Sequence, residues 1–478
     1  MEVRNVVIIV VDALRARNLG CYGYSKNTSP NIDSLAREGV LFEQAYCCSN
    51  CTDPSLTAML SGKYPISSGI VNHGARVTEE EIQEFHGKRI ALLSEMLQSR
   101  GFSTLAVDWL GRWHGRGYTC YCAPWDGGTR GFLWRTARRL SRVRLRMLQQ
   151  LSGLVVPGWW GRELGKFPDA DARKVCDRAV ELISASGGRR FLLLVHFWDT
   201  HSRYNPPRRF AEAMKVGCGQ GRSQRFDEIL GQIGDPKWRD YIRYCVKGAA
   251  DVDDVIARYD GAIAYVDHEI GRLVDALRQN GLLEKTLIVL TSDHGESLAD
   301  HGIYFTHHGL YEETIHVPLI LSHAGLPGNR RVRGLVQHID IVPTVLDLLK
   351  VEAESALDGE SLLPLISGKV EGFRSAVYVE EFHTERKRTI RAGSYKYIHA
   401  LSPEGAVCRY CRRVHGDMEE LYDLRQDPLE TTNIIAAKPE VASELRERLS
   451  EWAMHLQKKS ARGSVEGRIR ELKSMGRV

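Results

Sequence analysis

The sequence predicts an α/β fold in which helices sandwich a mostly parallel central sheet, followed by a small C-terminal α+β lobe. Short apolar runs rich in β-branched residues alternate with helical patterns over residues 1–372, which is typical of parallel strands buried on both faces. Over residues 373–478 the pattern changes to short strand-like pieces and a final helix. A chain of 478 residues is long enough for one large core and a smaller lobe.

The predicted elements follow from hydrophobic spacing and from capping residues. The predicted strands are Val6–Val11, Thr104–Val107, Phe191–His196 and Leu287–Thr291. The predicted helices are Ser29–Val40, Pro54–Leu60, Ala91–Ser99, Asp171–Ser184 and Asp251–Gln279. Asp53 is the expected N-cap of the helix that starts with Pro54. In the C-terminal lobe we expect strands at SAVYVEE, RTIRAG and YKYIHA, a helix at about Val441–Leu456, and a frayed tail beyond Lys458.

Composition and charge are those of an ordinary globular protein, with 43% hydrophobic and 26% charged residues. The formal net charge of +5 is too small to argue for a nucleic-acid partner. The first residues, MEVRNVVIIVVDAL, lack the regions of a signal peptide, and no segment has the roughly 18 consecutive apolar residues of a membrane span. The eleven scattered cysteines suit reduced thiols. We therefore expect a cytoplasmic protein.

Three of the predicted strands end in residues that can bind metal ions. Asp12 follows the first strand, Asp199 and His201 follow the third, and Asp293 and His294 follow the fourth. A single aspartate at a strand end is ordinarily a turn or capping residue. Because ligands of open α/β sheets bind beyond the carboxyl ends of the strands, three such ends together favour a common site.

The stretch YCCSNCTDPSLTAMLSGKYP, residues 46–65, raises the question of whether Cys51 or Thr52 is a nucleophile. Thr52 lies just before the predicted helix, where backbone amides and the helix dipole favour an oxyanion. A hydroxyl there becomes a good nucleophile if a divalent cation lowers its pKa. The alternative role for Thr52 is that of a second capping residue.

These motifs together resemble the sulfatase family of the alkaline phosphatase superfamily over almost the whole chain. VVIIVVDALRARNLGCYGY is similar to the first strand with its metal-binding Asp, PSLTAMLSGKYP to the nucleophile helix, and GRWHGRG to an anion-binding Gly-Lys-Trp-His element. The most specific segments are RYDGAIAYVDHEIGRLVDAL, TLIVLTSDHGESLADHG and LYEETIHVPLIL, and later elements match VQHIDIVPTVLDLL, LDGESLLPLISG and ELYDLRQDPLETTNI. The resemblance implies a metal-dependent ester hydrolase with a catalytic domain at 1–372 and a C-terminal subdomain at 373–478.

The sequence departs from the sulfatase pattern at three places. In sulfatases a Cys that is oxidised to formylglycine lies two residues before the Pro of a Cys-x-Pro-Ser-Arg motif. Thr52 occupies that position, with Cys51 one residue too early, while Leu56 replaces the motif's Arg and Ala13 replaces the second Asp after the first strand. Relatives with Thr in this position act on phosphorus. The resemblance thus implies a threonine-nucleophile type.

The expected activity is hydrolysis of a phosphodiester, or of a phosphonate or phosphate ester, through a phospho-threonine intermediate at Thr52. Formylglycine hydrate can expel sulfate by collapsing to an aldehyde, and threonine has no such exit. The alternatives are a sulfatase that works on sulfuric esters without formylglycine, a phosphoryl-headgroup transferase, and a binding protein with a decayed site.

The resemblance implies one divalent metal ion bound by Asp12, Thr52, Asp293 and His294. Two carboxylates, one imidazole and one alkoxide suit Mn²⁺, Zn²⁺ or Mg²⁺ at least as well as Ca²⁺. Asp199 is a candidate ligand for a second metal ion.

The resemblance also assigns residues around the metal. His114 and His201 are candidate catalytic groups that protonate the leaving group, and Arg112 and His307 are candidate ligands of the substrate oxygens. His308 is an alternative to His307. The planar guanidinium of Arg112 suits phosphoryl oxygens. Each histidine could instead be a surface residue or a hydrogen-bonded core residue.

A basic amphipathic insertion is expected at residues 131–162. Between Phe132 and Arg162, apolar residues at helical spacing lie opposite a row of arginines, and two tryptophans follow. This pattern fits either peripheral membrane contact, with a lipid-linked anionic ester as substrate, or a helix that covers the sheet. In the second case we expect a small-molecule anionic ester substrate.

The segment CRYC, with His415 nearby, has half of a zinc-site spacing. Cys408 and Cys411 provide two thiols, and Cys120 and Cys122 are candidates to complete the set.

Overall fold

The computed structural model describes residues 2–124, 171–215 and 225–474, with side chains described to residue 460. The predicted insertion at 131–162 therefore lies outside the described residues. The strands are β1 Asn5–Val11, β2 Val40–Phe42, β3 Ala45–Tyr46, β4 Ser103–Val107, β5 Cys120–Cys122, β6 Phe191–Phe197, β7 Thr286–Thr291, β8 Ser297–Leu298, β9 Tyr304–Thr306, β10 Leu319–Ser322, β11 Arg330–Val332, β12 Val336–Gln337, β13 Ala376–Glu381, β14 Lys387–Ala392, β15 Tyr395–Ala400 and β16 Glu419–Asp423.

The α-helices range from single turns to long helices. They are α1 Pro30–Glu38, α2 Thr52–Ser61, α3 Pro65–Ser68, α4 Glu79–Gly87, α5 Leu93–Gln98, α6 Ala172–Ser184, α7 Arg208–Met214, α8 Phe226–Gln232, α9 Pro236–Cys245, α10 Val252–Gln279, α11 Glu312–Ile315, α12 Ile341–Leu349, α13 Leu363–Ile366, α14 Pro403–Ala406 and α15 Pro439–Ser474. Short 3₁₀ helices are at Ala16–Asn18, Gly20–Tyr22, Gly74–Arg76, Arg112–Gly115, Leu283–Lys285, Asp300–Gly302 and His338–Asp340.

The central sheet confirms the predicted α/β fold. Within the described ranges it has eight strands in the order β11-β2-β10-β7-β1-β6-β4-β5, and β10 is antiparallel to both of its neighbours. The β1 strand lies at the centre, parallel to β6 on one side and β7 on the other. The polar segments that follow these three strands consequently meet at one edge of the sheet.

The apolar side chains of β1 point alternately to the two faces of the sheet and contribute to a buried core on each face. Val7, Ile9 and Val11 belong to one buried cluster, which includes residues of α6 and α10. Val6, Ile8 and Val10 belong to a second cluster, which includes residues of α2, α5 and α12. Burial of each such side chain stabilises the fold by about 1.5–3 kcal/mol.

The C-terminal lobe contains an antiparallel sheet in the order β13-β14-β15-β16, against which α15 packs. This confirms the small lobe predicted from the change in pattern after residue 372. The boundary between residues 372 and 373 stays a prediction, although β13 begins close to it at Ala376.

Two predicted helix limits are wrong. The helix α2 begins at Thr52 and not at Pro54, and its N-cap is the extended residue Cys51 and not Asp53. Proline is tolerated throughout a first helical turn because the amides there have no intrahelical partner, so Pro54 does not mark the start. The last helix, α15, extends to Ser474 and not to Leu456.

None of the helices in the described part of the chain is both long enough and apolar enough to cross a membrane.

Candidate active site

The two aspartates that follow β1 and β7 meet at the edge of the central sheet. Asp12 and Asp293 are both fully buried. Both carboxylate oxygens of Asp12 and Oδ2 of Asp293 have no hydrogen-bond partner among the described residues. Oδ1 of Asp293 accepts hydrogen bonds from the backbone amides of Ala13 (3.1 Å) and His294 (2.9 Å), which orient the carboxylate.

The imidazole of His294 presents one nitrogen to these carboxylates. Its Nδ1 donates to the backbone carbonyl of Gly295 at 2.8 Å, which leaves the lone pair on Nε2. Nε2 lies 3.6 Å from Oδ1 of Asp12 and 3.4 Å from Oδ2 of Asp293. Burial lowers the pKa of His294, which favours the neutral imidazole that metal ions bind.

The hydroxyl of Thr52 faces the same group of atoms. Thr52 is the first residue of α2, and its Oγ1 lies 3.3 Å from Nε2 of His294. The neighbouring thiol of Cys51 has different partners, with its Sγ 3.7 Å from Oδ1 of Asn50 and 4.0 Å from Nδ1 of His307. Burial raises the pKa of Cys51 well above its usual value, so this thiol stays protonated.

A fifth candidate ligand, His196, was missed by the sequence analysis. Possible ligand atoms of Asp12, His196 and Asp293 all lie within 4.8 Å of one another. Nδ1 of His196 donates to Oδ1 of Asp108 at 3.1 Å, and Nε2 has no partner in the described structure. A carboxylate that holds one imidazole nitrogen while the other is free is typical of metal-bound histidine.

The signal for His196 in the sequence is an imidazole inside the apolar strand FLLLVHF. His196 is paired with Val10 on β1, two residues before Asp12. Because side chains alternate along a strand, this register places the imidazole on the face toward which Asp12 also points.

The charges of these groups fit a divalent cation. Burial, followed by the neighbouring Asp293, raises the pKa of Asp12 well above its ordinary value. Burial alone would raise the pKa of Asp293, but the neighbouring His294 and His196 have the larger opposite effect, so this pKa lies below its ordinary value. Buried carboxylate oxygens without partners and free imidazole nitrogens are the donor set that Mn²⁺ or Zn²⁺ binds.

Asp53 anchors two of the predicted substrate-site residues. Its Oδ2 accepts from Nη2 of Arg112 at 2.6 Å and from the amide of Gly74 at 2.7 Å, and its Oδ1 accepts from Nε2 of His114 at 3.1 Å. Burial raises the pKa of Asp53, but hydrogen bonds from His114 and His73 outweigh it and hold the pKa well below its usual value. The roles of Arg112 and His114 toward a substrate stay predictions.

Three further histidines divide into two groups. The ring of His307 stacks on His294, with 4.2 Å between centroids, and the ring of His201 lies 5.6 Å from His307. His308 instead bonds Thr306 through Nε2 at 3.0 Å and stacks on Tyr410. His307 therefore lies at the carboxylate cluster.

The protonation of His201 and His307 follows from burial. Burial lowers the pKa of His201 to about 4, and burial together with His294 lowers the pKa of His307 well below its usual value. Nδ1 of His201 donates to the carbonyl of Ser202 at 3.0 Å, so its Nε2 carries the lone pair.

Asp199, the candidate ligand of a second metal ion, is held at the start of α6. Its Oδ1 accepts from the backbone amide of Ala172 at 3.1 Å, and burial raises its pKa to about 7. The groups of metal-binding side chains found in the described ranges do not include Asp199.

The chain matches two sulfatase families along its length. Residues 4–351 match the family described as Sulfatase. Residues 299–458 match the family described as N-sulphoglucosamine sulphohydrolase, C-terminal.

Curated relatives carry sulfatase names. A protein of Formosa agariphila named sulfatase is 24% identical over 439 residues, covering 90% of this chain and 82% of that protein. Arylsulfatase K of Bos taurus is 34% identical over 209 residues, which cover 42% of this chain and only 36% of that protein.

Solved structures share the fold over nearly the full length. The phosphonate monoester hydrolase of Agrobacterium radiobacter superposes with a TM-score of 0.67 at 20% identity, covering 96% of each chain. A protein in complex with its substrate D-glucosamine-2-N,6-O-disulfate superposes with a TM-score of 0.68 at 20% identity, covering 96% of this chain and 99% of that chain. With the family match over residues 4–351, the chain belongs to the sulfatase family of the alkaline phosphatase superfamily, and it is a hydrolase that acts on ester bonds.

Proposed function

We propose that the chain hydrolyses a phosphodiester, or a phosphonate or phosphate ester, through a phospho-threonine intermediate at Thr52. The observation that carries this proposal is the 3.3 Å distance between Oγ1 of Thr52 and Nε2 of His294, within the buried carboxylate cluster. The neighbouring Cys51, which is the other candidate nucleophile, has its thiol directed toward Asn50 and His307.

In this proposal Asp12, Asp293, His294 and Thr52 would hold a divalent metal ion, which enzymes of the sulfatase family generally use. His196 would be an additional ligand. A bound divalent cation supplies Lewis acidity that stabilises the Thr52 alkoxide and neutralises charge on the ester oxygens. The position of Thr52 at the N-terminus of α2 adds the field of the helix dipole, which also favours an oxyanion.

The chain's own residues carry the two steps. Oγ1 of Thr52 forms a bond to phosphorus while the bond from phosphorus to the leaving alcohol breaks, and that alcohol takes a proton. A water molecule then attacks phosphorus, and Thr52 leaves as its hydroxyl. Nε2 of His201 is proposed to take the hydroxyl proton of Thr52 and give it to the leaving alcohol, and then to move a proton from the attacking water to the Thr52 oxygen. His114 is the alternative group for the leaving alcohol, and Arg112 and His307 are proposed to bind the phosphoryl oxygens.

The choice of phosphorus over sulfur rests on the side chain of Thr52. Its Cβ carries a methyl group where a formylglycine hydrate carries a second hydroxyl, so an intermediate on Thr52 cannot collapse to an aldehyde. The bond between Oγ1 of Thr52 and the transferred group must therefore be both formed and broken by attack on the transferred group itself. Leu56, which replaces the arginine of the formylglycine motif, is buried in the apolar core.

The test compares three aryl substrates with metal-reconstituted protein: a phosphate diester, a phosphonate monoester and a sulfate ester. We expect turnover of the diester or the phosphonate, a loss on the order of 10⁴-fold in Thr52→Ala, and partial activity in Thr52→Ser. Sulfate turnover that survives Thr52→Ala would place the nucleophile elsewhere and overturn the proposal.

A further inference from the structure

A second group of metal-binding side chains lies in the loop between α14 and β16. Cys408, Cys411 and His415 are all buried, with exposed fractions of 1%, 7% and 6%. One ligand atom from each lies within 4.8 Å of the other two, and Sγ of Cys411 is 3.0 Å from Nε2 of His415. The group contains neither Cys120 nor Cys122, so the expectation that this pair completes the set is not met.

Main-chain hydrogen bonds of the loop hold Cys408 and Cys411 close together. The amide of Cys408 donates to the carbonyl of Arg413 at 2.7 Å, and the amide of Arg412 donates back to the carbonyl of Cys408 at 2.9 Å. Arg412 has a φ of 62°, which completes the tight turn between the two thiols and His415. The geometry is therefore fixed by main-chain hydrogen bonds and does not depend on a disulfide, since both cysteines are free.

The chemistry of the group favours a soft divalent cation. Two thiols separated by two residues and one imidazole are typical zinc ligands. Zinc binds the thiolate form of cysteine.

We propose that Cys408, Cys411 and His415 bind one zinc ion at a site separate from the candidate active site. Cys411 and His415 line a small cleft together with His308 and Trp238, and a water molecule in this cleft would serve as the fourth ligand of the zinc ion.

The proposed zinc ion would also order the residues between its two cysteine ligands. These residues, Arg409 and Tyr410, contact two neighbouring histidines. The Tyr410 ring stacks on His308 with 5.2 Å between centroids, its hydroxyl bonds Nε2 of His383 at 3.0 Å, and Arg409 donates to the carbonyl of His383 at 3.3 Å. The zinc ion would thus hold Arg409 and Tyr410 against His308 and His383.

The test measures zinc content and cobalt spectra of the full-length protein. We expect wild type and Asp293→Asn to retain zinc at this site, and His415→Ala and Cys411→Ser to lose it. Cobalt exchanged into wild type should give a near-ultraviolet thiolate-to-cobalt charge-transfer band, which is absent in Cys411→Ser and present in Asp293→Asn.

His415→Cys serves as the second variant, because it restores a third ligand at the same position. We expect it to bind zinc and to intensify the cobalt band, which separates ligand loss from misfolding. Equal zinc content in wild type and Cys411→Ser would overturn the proposal. A metal-free Cys408–Cys411 disulfide in freshly purified, chelator-free protein would overturn it as well.

Discussion

At the scale of single residues, the adjacent side chains of Cys51 and Thr52 lie in different chemical environments. The thiol of Cys51 is buried against Asn50 and His307, while the hydroxyl of Thr52 faces His294. The change of direction arises because Cys51 is extended and Thr52 is already helical. The position of Thr52 relative to Pro54 was readable from the sequence, but the directions of the two side chains depend on where α2 begins.

His196 is the residue on which metal affinity is most directly tested. We predict that Asp108→Asn weakens Mn²⁺ binding by roughly 10–100-fold, because the orienting carboxylate is lost, and that His196→Ala weakens it further. Mn²⁺ titration of chelator-treated protein measures both effects. His399→Ala, a partly exposed histidine on β15, is the matched control. Unchanged Mn²⁺ affinity in His196→Ala would remove this residue from the ligand set.

At the scale of elements, nearly all the strands and helices that the sequence predicted lie within two residues of the observed limits, but the sequence did not predict how side chains pair between them. Asp12, Asp293 and His294 were predictable because they directly follow buried strands. His196 was not, because it lies inside an apolar run. The choice between His307 and His308 needed the tertiary structure, since adjacent residues differ only in the direction that the loop gives them.

The first turn of α2 is tied to the segment Arg112–Gly115 through Asp53. We predict that Asp53→Asn lowers the free energy of unfolding at pH 7 by about 2 kcal/mol, because the buried carboxylate that accepts hydrogen bonds from Arg112, His114 and the amide of Gly74 loses its charge. The folded pKa of Asp53 lies below its unfolded value, so this stabilisation is fully present above about pH 4 and disappears as the pH falls through the folded pKa.

Denaturant unfolding of wild type and Asp53→Asn between pH 7 and pH 3 measures this difference. Asp347→Asn, which changes an exposed carboxylate on α12, should show little difference at any pH. A difference in the free energy of unfolding between wild type and Asp53→Asn that stays constant from pH 7 to pH 3 would contradict the proposed charge pairing.

At the scale of the whole molecule, strand order creates the candidate site. Because β6, β1 and β7 are adjacent and parallel, residues far apart in the chain meet at one sheet edge. The alternation of strands and helices predicted a mostly parallel sheet, but not the order of its strands. The same order gathers Asp12 and Asp293 as buried carboxylates, which is unfavourable unless a cation or a proton compensates them.

We predict that the stability of the folded protein depends on a divalent metal ion. At a free Mn²⁺ concentration of 100 times its dissociation constant, binding to the folded state alone contributes about 2.7 kcal/mol. Asp12→Asn should raise the melting temperature of chelator-treated protein, because it removes a buried carboxyl group whose ionised form is unfavourable there, and should abolish the further rise on adding Mn²⁺. Melting curves with and without Mn²⁺ measure this. An equal Mn²⁺ response in wild type and Asp12→Asn would exclude Asp12 as a ligand.

The proposed mechanism depends on Thr52 as the residue that forms the covalent intermediate. The most direct measurement is mass spectrometry of tryptic peptide 38–63 after acid quenching of metal-loaded protein during turnover of an aryl phosphonate monoester. We expect a phosphonyl adduct whose fragments locate it on Thr52, an unmodified Cys51, and no adduct in Thr52→Ala. An adduct on another residue, or formylglycine at Cys51, would contradict it.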